Sequence, residues 1–239
     1  MEETKVQEPE KAKKKAKKPY DVCNRVEWKG MKINRFLNFL RVVAVPFIWL
    51  FKPYKFYGNK KIKPGAGIYV VNHYGLLDIV YPSTLNWEGL HYIAKREIEE
   101  NPLFNFLAKH VKAIKVNRDG SDVRGMLDSL KCLKNNEKIC IFPEGTRNKS
   151  DEEFLPFKGG AAMLAIKAKA PIIPVLIYKR PKFFKMAHIV VGDPFEFTEY
   201  YGRKLTDEDI AKADAQILES MKKLRADHTE FLAQKKKKK

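Results

Sequence analysis

Beyond residue 60 the chain alternates short apolar runs with stretches of helical periodicity, and this alternation limits the possible folds more than any other feature. Strands are expected at 67–72, 91–95, 113–117, 138–142, 172–178 and 188–192, and helices near 79–85, 102–110, 123–135 and 160–170. Strands alternating with helices of this length form βαβ units around a largely parallel sheet. A last, amphipathic helix is expected over 207–231, with Ile210, Ile217, Met221, Leu224 and Phe231 at roughly helical spacing. Thr206 is its expected N-cap, followed by Asp207, Glu208 and Asp209 in the first turn. The expected fold class is therefore α/β, a largely parallel or mixed sheet flanked by helices.

The remaining segments are of a different kind. Residues 1–18 are charged and of low complexity, as in a disordered tail, and contain no apolar stretch resembling a signal peptide. The chain carries 47 Lys and Arg against 29 Asp and Glu, a net charge of +18. Of this, +3 lies in residues 1–18 and +5 in the lysine run 235–239, leaving +10 for the body between them. A basic body favours an anionic membrane face or a nucleic acid. No paired Cys/His ligands or stacking-aromatic motif accompanies the charge, so nucleic acid is not the expected partner. Three cysteines at wide spacing, Cys23, Cys132 and Cys140, do not make a disulfide scaffold. The run 36–51 is apolar, but its uninterrupted part, 42–51, has ten residues, against the ~20 that span a bilayer. With Trp49 inside it and Lys29, Lys32, Arg35, Arg41, Lys52 and Lys55 around it, the run suits an N-terminal helix lying in a membrane interface; the alternative is a core helix.

The chemistry gathers in three loops. His73 and Asp78, in the stretch VVNHYGLLDIV, are five positions apart. On one continuous α-helix that spacing sets side chains ~140° apart, so cooperation requires a strand–turn–helix break after Val71. In open α/β sheets ligands bind at the carboxyl ends of strands. A histidine there, oriented by a carboxylate, has the form of a general base; with no serine or cysteine nucleophile beside it, its target would be a hydroxyl of the substrate. Taken alone, the pair fits a turn equally well. The stretch IFPEGTRN, 141–148, forms a second strand-end loop, and IKVNRD, 114–119, a third. Arg118 and Arg147 in these loops are the residue type that binds phosphate in bidentate fashion.

HYGLLD and FPEGTR resemble the H-x4-D and F-P-E-G-[TS]-R motifs of the glycerolipid acyltransferases. IKVNRD and IPV at 173–175 resemble that family's second and fourth blocks, and FKGGA at 157–161 its F-K-x-G-A segment. All occur in the family's order, and the likeness is greatest to bacterial 1-acyl-glycerol-3-phosphate acyltransferases. The second block departs from the common G-x-I-F-I-D-R: its leading glycine is missing and Asn117 stands for the aspartate, which leaves the choice of acceptor less defined.

The resemblance implies transfer of a fatty acyl group from acyl-CoA or acyl-carrier protein to the sn-2 hydroxyl of 1-acyl-glycerol 3-phosphate, making phosphatidic acid. In this reading His73 and Asp78 are catalytic. Arg118, Glu144, Gly145, Thr146 and Arg147 serve the acceptor site, and Pro174 shapes it. The thioester is a co-substrate; no cofactor or metal is implied. Partners would be the lysophospholipid, the acyl thioester, acyl-carrier protein as one donor, and an anionic membrane surface. The place would be the cytoplasmic face of a membrane, peripheral or monotopic, in a bacterium the inner membrane. The resulting division is a basic tail at 1–23, an interfacial element at 24–57, an acyltransferase domain at 58–232 and a lysine tail at 233–239. Other acceptors (glycerol 3-phosphate, another lysophospholipid or an aminolipid) remain open, as does a non-catalytic basic module.

Overall fold

The computed structural model describes residues 35–85, 90–110, 113–117, 122–158 and 160–237. The tail at 1–23, the first part of the N-terminal element and Arg118 lie outside them.

Helix α1 spans Arg35–Phe51 and is followed by β1, Tyr54–Gly58, and β2, Gly67–Val71. Then come α2 (Val80–Leu85), β3 (His91–Lys95), α3 (Pro102–His110), β4 (Ile114–Val116) and α4 (Val123–Lys134). The chain continues through β5 (Lys138–Ile141), α5 (Gly160–Ala168), β6 (Ile172–Ile177), β7 (Ala187–Val191) and α6 (Asp207–Lys237). The strands form one seven-stranded sheet in the order β1-β7-β6-β2-β5-β3-β4. From β6 to β4 all neighbours are parallel; β7 runs antiparallel to β6, and β1 pairs parallel with β7.

The central strands are buried on both faces, which is why they read as continuous apolar runs. Their side chains still divide by strand alternation. Ile68, Val70, Ile139 and Ile172 enter the core beneath α4, α5 and α6, while Tyr69, Val71, Cys140 and Ile173 enter the core on the opposite face with Tyr81 and Leu90.

Two elements depart from the boundaries read from sequence. The segment YKFYG, all but its last residue within the stretch 24–57 assigned to the N-terminal element, is strand β1; its polar edge position hides the pattern that marks the inner strands. Helix α6 runs on through Lys237, so the first residues of the lysine tail are helical. The start of α6 is a reciprocal cap: the Asp209 N–H donates to Thr206 Oγ1 (3.1 Å) and the Thr206 N–H to Asp209 Oδ2 (3.0 Å). One helical turn further on, partial burial pushes the Asp214 carboxyl up to about 6, despite a hydrogen bond from the Ala162 N–H at the start of α5.

Candidate active site

Strand β2 ends at Val71, and the next two residues are held by other loops. Asn72 is buried and bonds both backbone groups of Ile177 at the end of β6, accepting from its N–H (2.7 Å) and donating to its carbonyl (3.0 Å). The backbone of His73 is gripped on both sides by the FPEGTRN loop. Its N–H donates to Glu144 Oε1 (2.9 Å), and its carbonyl accepts from the Asn148 N–H (2.6 Å).

A short 3-10 turn over Leu76–Ile79 then replaces a continuous helix and brings Asp78 back under the histidine. Asp78 Oδ2 lies 3.0 Å from His73 Nδ1 and also accepts the Tyr74 and Gly75 N–H groups at 2.6 and 2.7 Å. An ionised carboxylate only accepts, so the Nδ1 of a neutral His73 carries the proton and Nε2 keeps its lone pair. The ring stacks on Phe142, centroids 4.1 Å apart, which fixes its plane.

His73 opens onto a cavity of about 960 Å³. Its wall is largely apolar: Ala44, Val45 and Ile48 of α1, Ile93 of β3, Met126 of α4 and Leu164 of α5. At Gly125 a methyl group would come within 2.4 Å of Val116 Cγ1, so glycine permits α4 to lie close on β4 at the cavity wall. The mouth is cationic, with Lys95, Arg147, Lys149 and Lys158 lining it alongside Gly145 and Thr146.

Helix α1 is apolar on two faces. One closes this cavity; the other leaves Phe39, Val42, Phe47 and Leu50 more than half exposed. Such a helix lies against a second apolar medium or is buried. Among the described residues no helix is long and apolar enough to cross a membrane.

The structure sorts the residues singled out from sequence. His73, Gly145, Thr146 and Arg147 line the cavity. Glu144 does not: it is 1% exposed and turned inward, accepting from the His73 and Leu155 N–H groups. Burial pushes its carboxyl above the usual carboxylate range against the pull of those two bonds. Glu144 thus ties the loop after β2 to both halves of its own loop between β5 and α5. Pro174 is buried in β6, in register with Val70, and does not line the cavity.

Two backbone amides beside the cavity are already committed, Gly145 N–H to Phe142 O and Lys158 N–H to Pro143 O, both at 3.0 Å. Gly145 adopts φ +66°, and a side chain there would also meet Lys158 Cδ at 3.0 Å. Asp122 lines the cavity with Asn117 and accepts the Asn117 and Gly125 N–H groups at 2.7 and 2.9 Å, tying the end of β4 to the start of α4. Burial opposes charge on Asp122, but these bonds and Arg96 hold its carboxyl below the usual range.

Sequence reasoning passed over Asn72, Asn148 and the lysines at the mouth. Asn72 directly follows a strand end and Asn148 closes the IFPEGTRN stretch, positions that could have drawn attention. The lysines carry no signal in a chain this basic. Among the described residues one cluster has metal-ligand types, His91, Cys132 and Glu137, with atoms within 4.8 Å of one another. It is buried and lies apart from the cavity lining.

The family model described as Acyltransferase matches residues 53–178, more than half of the chain, from just before β1 to just after β6. The chain belongs to the acyltransferase family. Among curated relatives, a 1-acyl-sn-glycerol-3-phosphate acyltransferase of Helicobacter pylori is 37% identical over 124 residues, 50% of this chain and 52% of that protein. Its Bacillus subtilis counterpart is 28% identical over 155 residues, 61% of this chain and 75% of that protein. The chain thus spans about half the length of the first relative and three quarters of the second. Among solved structures, the 1-acyl-sn-glycerophosphate acyltransferase PlsC of Thermotoga maritima superposes with a TM-score of 0.57 at 25% identity, covering 81% of each chain. The acyltransferase fold and the mixed sheet are common to both.

Proposed function

We propose that this acyltransferase moves a fatty acyl group from a thioester of coenzyme A or acyl-carrier protein to the sn-2 hydroxyl of 1-acyl-glycerol 3-phosphate, forming phosphatidic acid. The observation that supports this best is the junction of three features at one point: an oriented histidine, an apolar cavity and a cationic mouth. The cavity, at about 960 Å³, is of a size and polarity that suit an acyl chain. The mouth suits a phosphate, with Arg147 able to bind it in bidentate fashion and Arg118, by family resemblance, as a second ligand.

In the reaction, His73 Nε2 takes the proton of the acceptor hydroxyl as its oxygen attacks the thioester carbonyl. Asp78 stabilises the imidazolium that forms. The carbonyl oxygen becomes an oxyanion, and the Lys158 ammonium beside Gly145, in the cavity lining, is a cation that can assist it. When the tetrahedral adduct collapses, the C–S bond breaks and the imidazolium returns its proton to the leaving thiolate. The products are an ester and a free thiol, with no acyl-enzyme required. Glu144 takes no proton in this scheme; it positions the base.

The substrates are amphiphiles, so the reading includes an enzyme held at the cytoplasmic face of a membrane by the outer face of α1 and the basic surface, peripheral or monotopic. In a bacterium this is the inner membrane.

The test is an acceptor panel with oleoyl-CoA in detergent. Turnover should be highest with 1-acyl-glycerol 3-phosphate and fall at least tenfold when the phosphate is removed (monoacylglycerol). Equal use of the phosphate-free acceptor would overturn the assignment of the cationic mouth.

A further inference from the structure

Eight of the nine residues between β6 and β7, KRPKFFKM at 179–186, were not singled out by any motif. Among the described residues they hold the two most exposed large apolar side chains outside α1, Phe183 at 65% and Phe184 at 72%, and Met186 is 48% exposed. Lys179, Lys182 and Lys185 stand among them, also exposed. Two adjacent exposed phenylalanines incur an unfavourable hydration cost in water, and they would be out of place on a purely aqueous loop.

The topology decides which way this loop points. Because β6 is parallel to β2, the residues after Ile177 leave the sheet at the same edge as His73. Strands β7 and β1 run the other way, so they begin at that edge. The loop and the end of α1 therefore meet there, and the contacts are direct. The Phe184 N–H donates to Phe51 O (2.8 Å), and the Ala187 N–H to Pro53 O (2.8 Å). The Phe51 and Phe184 rings lie 5.8 Å apart, and Lys52 Nζ sits 4.6 Å over the Phe183 ring. At its base, Arg180 donates to Asn148 O (2.9 Å), joining the loop to the same loop that holds His73. The apolar outer face of α1 and this loop are thus one continuous surface, with no Asp or Glu from 35 to 58 or from 179 to 192.

We infer that the 179–186 loop is a second membrane contact: Phe183 and Phe184 enter the headgroup–acyl boundary of an anionic bilayer while Lys182 and Lys185 pair with lipid phosphates. Exposed aromatics bordered by lysines, on two segments that contain no acidic residue, match such an interface in polarity and charge. A helix alone leaves the protein free to roll about the helix axis; a second contact beside it fixes the tilt and sets the cavity mouth against the lipid. This rests on the lysophosphatidate reading only for its purpose, not for its chemistry.

Flotation of the full chain with 70:30 phosphatidylcholine:phosphatidylglycerol vesicles tests it. The double variant Phe183→Ala/Phe184→Ala is expected to lower the bound-to-free ratio at least tenfold, and Lys182→Glu/Lys185→Glu to lower it on anionic vesicles but not on pure phosphatidylcholine. Turnover of a short-chain, monomeric lysophosphatidate in solution should stay within twofold of wild type for the phenylalanine variant. Vesicle binding equal to wild type in that variant overturns the inference. Lost binding in a protein that acylates no lysophosphatidate would retain the membrane contact and reject the acceptor.

Discussion

Two histidine–carboxylate pairs stand at opposite edges of the same sheet. His73 and Asp78 lie 3.0 Å apart after the carboxyl end of β2; His91 and Glu137 come within 2.5 Å at the amino ends of β3 and β5. The chemical groups are nearly the same and their surroundings are not. The His73 side chain is 17% exposed above a 2% exposed Asp78, with its second nitrogen facing a cavity. His91 and Glu137 are 2% and 3% exposed, and neither lines that cavity. Burial on every side leaves a pair nothing to act on, so the second pair can only contribute to the interior. In the proposed reaction, what distinguishes His73 as the base is access at the correct edge, more than the pairing itself.

The comparison can be broken most directly at the histidines. His73→Ala is expected to lower kcat for acyl transfer by about 10³-fold or more with an unchanged melting temperature, since general-base assistance is worth ~10²–10⁴-fold. His91→Ala should do the reverse, holding kcat within a few-fold while costing about 2–4 kcal/mol of stability as Glu137 is left buried without its counterpart. Comparable loss of activity in both would erase the distinction.

The carboxylates sharpen it. Asp78→Asn should cost ~10²-fold in kcat, because Oδ2 also organises the turn and an amide can preserve part of that. Glu137→Gln should appear only in chemical denaturation, at about 1–3 kcal/mol. A KM change in the latter would mean the two edges are coupled.

The smallest expected effect concerns a carboxylate with no partner histidine. Asp214 titrates at about 6 in the folded protein because burial disfavours its charge. An unfolded aspartate titrates near ~3.9. The folded state therefore binds the extra proton between these values, and stability from this group is present below about pH 4 and is lost as pH rises through 6. Asp214→Asn should raise stability at pH 7 by about 1 kcal/mol at most, given the solvent screening of a half-exposed group, and by nothing at pH 3.5. Urea melts at the two pH values would show it; equal gains at both would point to a cause other than charge.

How much of this was legible before folding follows from burial. Strands β2, β5 and β6 announce themselves because both faces are covered, so nearly every residue is apolar. Strand β1 has two tyrosines and a lysine in five residues at the edge, where one-sided exposure blurs the pattern. The dyad, with Arg147, was readable from motif and spacing. The inward turn of Glu144 was not, since a glutamate after a strand gives no sign of which way it faces. Lys149 and Lys158 were hidden among 47 basic residues. The basic loop with two phenylalanines was visible as letters, but its meaning depends on contacts with residues more than 130 positions earlier.

The reversal of β7 carries one more consequence. A five-residue strand is roughly 17 Å long. Had β7 and β1 followed the direction of the other five strands, the end of α1 would have met the sheet about that far away, at the edge occupied by His91, and the chain leaving β6 would have had to cross to that edge before β7. Strand polarity therefore acts as a compass for the whole molecule: a single antiparallel step aligns its greasy, positively charged rim with its reactive nitrogen, and no individual side chain could make that choice.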